Sequence, residues 1–163
     1  MSRVLILGIG SPSGDDQAGW LVANALKEMG ADSIAGVVVD KLDRPGANLV
    51  ARFESANHVV LIDAMQSGAA VGSIRRFDRH DWPAYDSGLS SHGFGVLDAL
   101  VLARELGSLP GRVDLYGIEI ASANPGDPPG EAIRTAVQEL ARQIADEFLG
   151  LRLLERAELV DRG

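Results

Sequence analysis

Apolar residues follow two patterns along this chain: short continuous runs, and longer stretches at helical spacing. Continuous runs of β-favouring residues are typical of parallel strands that are buried on both faces of a sheet. The first run begins at Val4 and ends in a loop rich in glycine and serine. Three further runs predict strands over 33–40, 58–62 and 113–120, and the segment 71–77 predicts a short edge strand.

Stretches with apolar residues at helical spacing separate these runs. They predict helices over 15–29, over 45–54, from the end of the loop 88–95 to about 106, and over 131–148. Strands that alternate with helices indicate an α/β sandwich around a mainly parallel sheet. At 163 residues the chain has the size of one domain. We expect that domain to span 1–150, with 151–163 as a C-terminal tail.

The composition narrows the possible partners and chemistry. The chain contains no cysteine, which excludes disulfides, thiolate metal sites and a cysteine nucleophile. A formal net charge of −8 disfavours nucleic acid and anionic membrane surfaces as partners, although an acidic surface can also serve solubility alone. No apolar run approaches the roughly 20 residues that cross a bilayer, and the N-terminus leads directly into the first predicted strand. We therefore expect a cytoplasmic protein without a signal peptide.

Acidic residues stand at the carboxyl ends of the first three predicted strands. Asp15 and Asp16 follow the first strand, Asp40 ends the second, and Asp63 follows the third. Because the carboxyl ends of parallel strands lie side by side, we expect these acids to converge on one crevice. Asp15 suits the N-cap of the first helix, where its carboxylate would accept from free backbone amides. Asp16 is then one carboxylate more than capping needs.

His92 follows two serines in a loop of small residues, at the predicted start of a helix. The helix dipole there disfavours a protonated imidazole, which leaves a neutral ring able to bind a metal. Together, Asp16, Asp63 and His92 would form an open site for a divalent transition metal. Each residue also has a purely structural interpretation, as a cap, a turn residue after a strand, or a first-turn helix residue. Only their predicted convergence favours the site.

Gly8 and Gly10 after the first strand also resemble a dinucleotide-binding turn, with Asp40 in the position of the ribose-binding acid. The third glycine, Gly14, comes one residue late for that pattern. The two carboxylates at the helix N-terminus would also repel a pyrophosphate. The sequence contains no P-loop lysine, no G-x-S-x-G and no H-E-x-x-H. Nucleotide binding therefore stays an alternative with these two objections.

Four motifs in chain order make the sequence resemble the maturation endopeptidases of nickel–iron hydrogenases. They are LGIGS at 7–11 with GDDQAG at 14–19, LIDA at 61–64 with Gly68 and Gly72, SHGFG at 91–95 with LD at 97–98, and YGIE at 116–119. The resemblance covers most of the chain. It implies a three-layer α/β/α fold whose five-stranded sheet is mainly parallel, with one antiparallel edge strand that the segment 71–77 fits.

The resemblance also implies an activity. Proteases of this family remove a short C-terminal extension from the hydrogenase large-subunit precursor after nickel has been inserted. They are grouped with aspartic-type peptidases, and their metal-contacting residues fall here on Asp16, Asp63 and His92. The resemblance therefore implies catalytic and metal-binding roles for these three residues, the precursor as partner, nickel supplied by that precursor, and no organic cofactor.

Two loops depart from the family pattern. Many relatives have Asp-Gly-Gly-Thr after the second strand, whereas the segment 40–46 is bulkier and carries two cations. Where relatives often have Gly-Ile-x-Pro, the segment 117–120 has no proline. These departures bear on which precursor is recognised more than on activity.

Two other function classes compete with the protease. One is a non-catalytic chaperone that senses nickel in the precursor, and the other is a nucleotide-binding α/β protein.

Overall fold

A computed structural model describes residues 3–12, 14–43, 47–54, 56–77, 96–121 and 128–150. Within these ranges the strands are β1 Val4–Gly10, β2 Val37–Asp43, β3 His58–Met65, β4 Ile74–Phe77 and β5 Arg112–Glu119. The helices are α1 Ala18–Glu28, α2 Ala47–Phe53, α3 Val96–Glu105 and α4 Glu131–Ile144. Short 3₁₀ turns at Gly14–Gln17 and Ala31–Ser33 flank α1, and a π-helical turn at Ala145–Leu149 continues α4.

The strands form one sheet in the order β2-β1-β3-β5-β4. Strands β1, β2, β3 and β5 run parallel, whereas β4 pairs antiparallel with β5 at the edge. Helices α1 and α4 pack on one face of the sheet, and α2 and α3 pack on the other. The described elements therefore confirm the predicted three-layer α/β/α sandwich with a mainly parallel sheet and one antiparallel edge strand.

Strand β1 lies at the centre of both cores, and all seven of its residues are buried. Val4 and Ile6 pack towards α1 and α4, while Leu5 and Leu7 pack towards α2 and α3. This alternation between two buried faces explains why the strand is apolar at successive positions. Only a strand covered by helices on both sides can bury such a run.

Several element boundaries differ from the predicted ones, and two strands extend because their pairing continues. Strand β2 runs on to Asp43, since it pairs with β1 through Gly10. Strand β3 runs on to Met65, since it pairs with β5 through Glu119. The helix predicted over 15–29 begins with the 3₁₀ turn, so α1 itself starts only at Ala18. The predicted loop 88–95 and tail 151–163 lie outside the described residues.

Among the described residues, no helix combines the length and apolar character needed to cross a bilayer.

Candidate functional site

The topology creates a crevice at the carboxyl ends of β1 and β3. From β1 the chain crosses to β2 on one side, while β3 lies on the other side of β1 and leads on towards β5. Ligands of open α/β sheets bind outside the carboxyl ends of strands at such a switch point. The 3₁₀ turn that carries Asp15 and Asp16 follows β1 and packs against both β1 and β3. The fold therefore brings the first acidic segment to the end of the strand that carries Asp63.

Asp16 is held against the end of β1 by Ser11. The hydroxyl of Ser11 donates to Oδ2 of Asp16 at 2.5 Å, and the backbone N–H of Ser11 donates to the carbonyl oxygen of Asp16 at 3.3 Å. Asp16 is partly exposed, whereas Ser11 is buried. One carboxylate oxygen of Asp16 is thus fixed by the loop, which sets the direction of the other.

The glycines of this segment allow the backbone of α1 to approach the strands. A Cβ on Gly19 would lie 2.2 Å from the carbonyl oxygen of Ile9 and 2.6 Å from that of Ile62. A Cβ on Gly10 would lie 2.5 Å from the carbonyl oxygen of Asp16. Close packing of turn, helix and sheet therefore accounts for Gly10 and Gly19 without a phosphate.

Asp63 lies inside β3 rather than after it, so its prediction as a residue that follows the strand is wrong. It pairs in register with Gly117 of β5, and the strand continues for two more residues. Its side chain is fully buried, and its Oδ1 accepts the backbone N–H of Ala64 at 2.8 Å. Asp63 shares a sheet face with Leu61 and Met65, which pack towards α2 and α3. The strand thus fixes a buried carboxylate near the carboxyl edge of the sheet.

Asp15 does not cap α1, contrary to the prediction. The N-cap residue of α1 is Gln17, and no side chain caps that position. The 3₁₀ turn displaces Asp15 from the helix start, and its Oδ1 instead accepts the backbone N–H of Gly130 at 2.9 Å. Its Oδ2 accepts the backbone N–H of Ala121 at 3.4 Å. Asp15 therefore connects the acidic turn to the segments that flank the β5–α4 connection.

Asp40 has a structural partner. It lies inside β2 in register with Leu7, and its Oδ2 accepts from Nη2 of Arg52 in α2 at 2.8 Å. Leu7 is in register with Leu61, which places Asp40 two residue levels before Asp63. The expectation that Asp40 ends its strand and joins the other acids is therefore wrong. It links β2 to α2.

His92 lies outside the described residues, so its place beside Asp16 and Asp63 stays a prediction. Within the described ranges no group of three His, Cys, Asp or Glu side chains is arranged to hold a metal ion. The two carboxylates that the structure describes would need a third donor from elsewhere to form a metal site.

Glu119 is a buried carboxylate whose role the sequence pattern did not indicate. It ends β5, and both of its carboxylate oxygens accept the backbone N–H of Ser67, at 2.8 and 3.1 Å. The hydroxyl of Ser67 also donates to Glu119. Ser67 follows β3, so Glu119 holds the segment that leaves the Asp63 strand. An acid at the end of an otherwise apolar strand was the available signal.

A second polar cluster lies towards the amino end of the sheet. Buried Asp114 accepts from Nε2 of His58 at 2.7 Å, from Nε of Arg112 at 3.0 Å and from the guanidinium of Arg76. Burial acts to raise the pKa of Asp114, but the hydrogen bonds from His58 and Arg76 outweigh it and hold that pKa below its usual value. Nearby Tyr116 has its pKa raised to about 12, mainly by burial. This cluster joins strands β3, β4 and β5.

Comparison with known proteins identifies the family. A family model described as hydrogenase maturation protease matches residues 21–147. The chain belongs to the hydrogenase maturation protease family. The matched range includes Asp63 and His92 and begins after Asp16. No curated protein matches the sequence significantly.

Solved structures of hydrogenase maturation proteases share the fold. The chain is 26% identical to the [NiFe] hydrogenase maturation protease HycI from Thermococcus kodakarensis, with a TM-score of 0.72 over 89% of this chain and 91% of that one. It is 22% identical to the hydrogenase maturating endopeptidase HybD from E. coli, with a TM-score of 0.72 over 87% of this chain and 89% of that one. As a member of this family, the chain has a protease role in hydrogenase maturation.

Proposed function

We propose that this protease removes the C-terminal extension of a nickel–iron hydrogenase large-subunit precursor after nickel insertion, and that it recognises the bound nickel. One observation carries the proposal. In a member of the hydrogenase maturation protease family, Asp16 and Asp63 lie on segments that meet at the topological switch point of the sheet. This is where open α/β sheets bind their ligands.

The nickel in this proposal belongs to the substrate. Asp16, Asp63 and His92 would contact it while the precursor holds it, which places the scissile bond in the crevice. Carboxylate and imidazole groups are suitable donors for a divalent transition metal. A set of three such ligands, in a chain without cysteine, is a poor cage for permanent nickel storage. Contact with nickel would therefore depend on the arrival of the loaded precursor.

The two described carboxylates are suited to different tasks. Asp63 is fully buried and oriented by the N–H of Ala64, so its carboxylate is held in a fixed position. Asp16 is partly exposed and has one oxygen held by Ser11. Peptide hydrolysis requires a water molecule oriented and activated by a base or a Lewis acid. We assign that role to this aspartic-type pair together with the precursor's nickel.

The cellular setting follows from the same proposal. The partner is the large-subunit precursor, which the protease would meet in the cytoplasm. The net charge of −8 disfavours nucleic acid and anionic membranes as further partners.

The test is to incubate nickel-loaded precursor with the wild-type protease and with Asp16→Ala, Asp63→Ala and His92→Ala variants. We expect the wild type to shorten the precursor and each variant to lose most of that activity. Asp32→Asn is the matched control, because Asp32 is an exposed acid in the second 3₁₀ turn. Nickel-free precursor should stay uncleaved. Cleavage by the three variants at the wild-type rate would contradict the site, and binding without shortening would favour a chaperone.

A further inference from the structure

Two buried or partly buried carboxylates outside the proposed nickel-contacting set converge on the end of β5. The first is Asp15, which lies next to Asp16 in the 3₁₀ turn. Its two oxygens accept backbone N–H groups from the two sides of the β5–α4 connection: Ala121, just after β5, and Gly130, the N-cap residue of α4. The contact with Gly130 joins residues 115 positions apart in the chain.

The contact also suits the start of α4 electrostatically. The N-cap residue Gly130 has no side chain with which to cap α4, a helix of 14 residues. The N-terminus of a helix carries partial positive charge and unsatisfied N–H groups, so a carboxylate from elsewhere in the fold stabilises it. Asp15 supplies that carboxylate. Asp15 therefore caps the N-terminus of α4, which is remote in sequence, and not that of the adjacent helix α1.

The second carboxylate, Glu119, holds the segment that follows Asp63 and β3 against the end of β5. It is 2% exposed and accepts the backbone N–H and the hydroxyl of Ser67, which follows β3. The side-chain amide of Gln66 also donates to the carbonyl oxygen of Ala121 at 3.2 Å. The end of β5 is therefore bound from one side by the segment that leaves the Asp63 strand, and from the other by Asp15.

We propose, on the basis of the function proposed above, that Asp15 is a positioning residue for the cleavage reaction. Its carboxylate fixes the turn that carries Asp16 to the end of β5, where Glu119 fixes the segment after Asp63. The contacts at β5 thereby add to the packing of this turn on β1 and β3 in fixing the separation of Asp16 and Asp63. In this proposal Asp15 and Glu119 act through the segments that carry Asp16 and Asp63, and not on the substrate itself. A small displacement of the groups that position a reacting bond lowers the reaction rate strongly. We call the contacts of Asp15 and Glu119 at the end of β5 the clamp, and we expect it to affect catalysis for this reason.

The test is Asp15→Asn, which keeps the shape of the side chain but offers one acceptor oxygen where two N–H groups point. Asp32→Asn is the matched control, because Asp32 is exposed. For nickel-loaded precursor we expect Asp15→Asn to lower kcat by roughly 10- to 100-fold with little change in KM, and the control to match the wild type. Hydrogen exchange should show that the Ala121 or the Gly130 amide loses protection in Asp15→Asn only, since one acceptor oxygen cannot serve both.

An unchanged kcat in Asp15→Asn overturns the inference. A fall in kcat that only matches a fall in the folded fraction, measured by circular dichroism, also overturns it, because Asp15 then acts through stability alone. If the wild-type protease leaves the precursor intact, the proposed function fails. The exchange experiment is then still decisive for the clamp: lost protection at Ala121 or Gly130 supports it, and retained protection at both amides contradicts it.

Discussion

The hydroxyl of Ser11 donates to Oδ2 of Asp16 at 2.5 Å and so closes the loop between β1 and the acidic 3₁₀ turn. Ser11 is buried, so water has little access to compete for this bond. Hydrogen bonds to a charged acceptor contribute more than those between neutral groups. The bond therefore orients a carboxylate that we place against the precursor's nickel.

Replacing Ser11 with alanine should lower cleavage of nickel-loaded precursor by roughly tenfold, because Asp16 would lose the donor that orients it. The measurement is the initial rate of precursor shortening at equal concentrations of enzyme. Ser33→Ala is the control, since Ser33 is an exposed serine in the second 3₁₀ turn. If both variants cleave at the wild-type rate, Ser11 does not orient a reacting group.

Gly19→Ala should destabilise the fold by about 3 kcal/mol or more, towards or beyond the upper end of usual overpacking costs. The added Cβ would meet the backbone carbonyl oxygens of Ile9 and Ile62 at 2.2 and 2.6 Å, and neither strand can retreat without breaking sheet pairing. Urea unfolding gives the difference. Gly111→Ala is the control, because among the described residues its Cβ would have one neighbour within 4 Å, at 3.8 Å. This change should alter stability by no more than about 0.5 kcal/mol. Equal stability of the two variants would contradict the packing.

The layered fold could be predicted from the sequence because it depends on local patterns. The apolar runs of β1 and β3 and the helical stripe of α4 each indicate burial within a few neighbouring positions. The antiparallel edge strand was expected from the family resemblance. Strand ends were less predictable, since Asp63 is inside β3 only because pairing with β5 continues through Met65.

The contacts of the acids could not be predicted because their partners are remote in sequence. Asp15 stood where a cap for the first helix was predicted, yet its carboxylate accepts the backbone N–H of Gly130. Asp40 looked like Asp63 at the end of a run, but Arg52 of α2 binds it. The order of residues in the chain does not reveal which of several acids will bind a group from a distant segment. The tertiary contacts give Asp15 and Asp40 structural partners, whereas the roles of Asp16 and Asp63 stay a prediction.

Asp114 should make the fold sensitive to acid. Its pKa is held below the usual 3.8, because hydrogen bonds from His58 and Arg76 outweigh the effect of burial. The unfolded chain therefore binds a proton first as pH falls. The stabilisation is complete above about pH 4 and is lost as pH falls through the lower native pKa.

Asp114→Asn should consequently lower stability at neutral pH by about 1–3 kcal/mol, because charged hydrogen bonds to a buried acceptor are weakened or lost. It should also flatten the decline in Tm below pH 4, which thermal melts at a series of pH values will show. Asp32→Asn, at an exposed acid, should follow the wild-type curve. A wild-type slope retained in Asp114→Asn would exclude Asp114 as its source.

Tyr116 should produce the opposite dependence at alkaline pH. Burial, with the nearby Glu147 and Asp114, raises the pKa of its phenol from 10.0 to about 12, although Arg76 acts to lower it. The unfolded chain then loses this proton first, so the contribution of Tyr116 is fully present below pH 10 and falls between pH 10 and about 12, by at most about 1.4 kcal/mol per pH unit. Urea unfolding across this range should show a shallower decline in Tyr116→Phe than in the wild type.

A direct titration of the phenol is also possible. The chain has two tyrosines, so Tyr85→Phe leaves Tyr116 as the only phenol. The ultraviolet absorbance of its tyrosinate should then appear only near pH 12 in the native state. Ionisation near pH 10 in that variant while it is still folded would show that the phenol is not shielded by the sheet and α4.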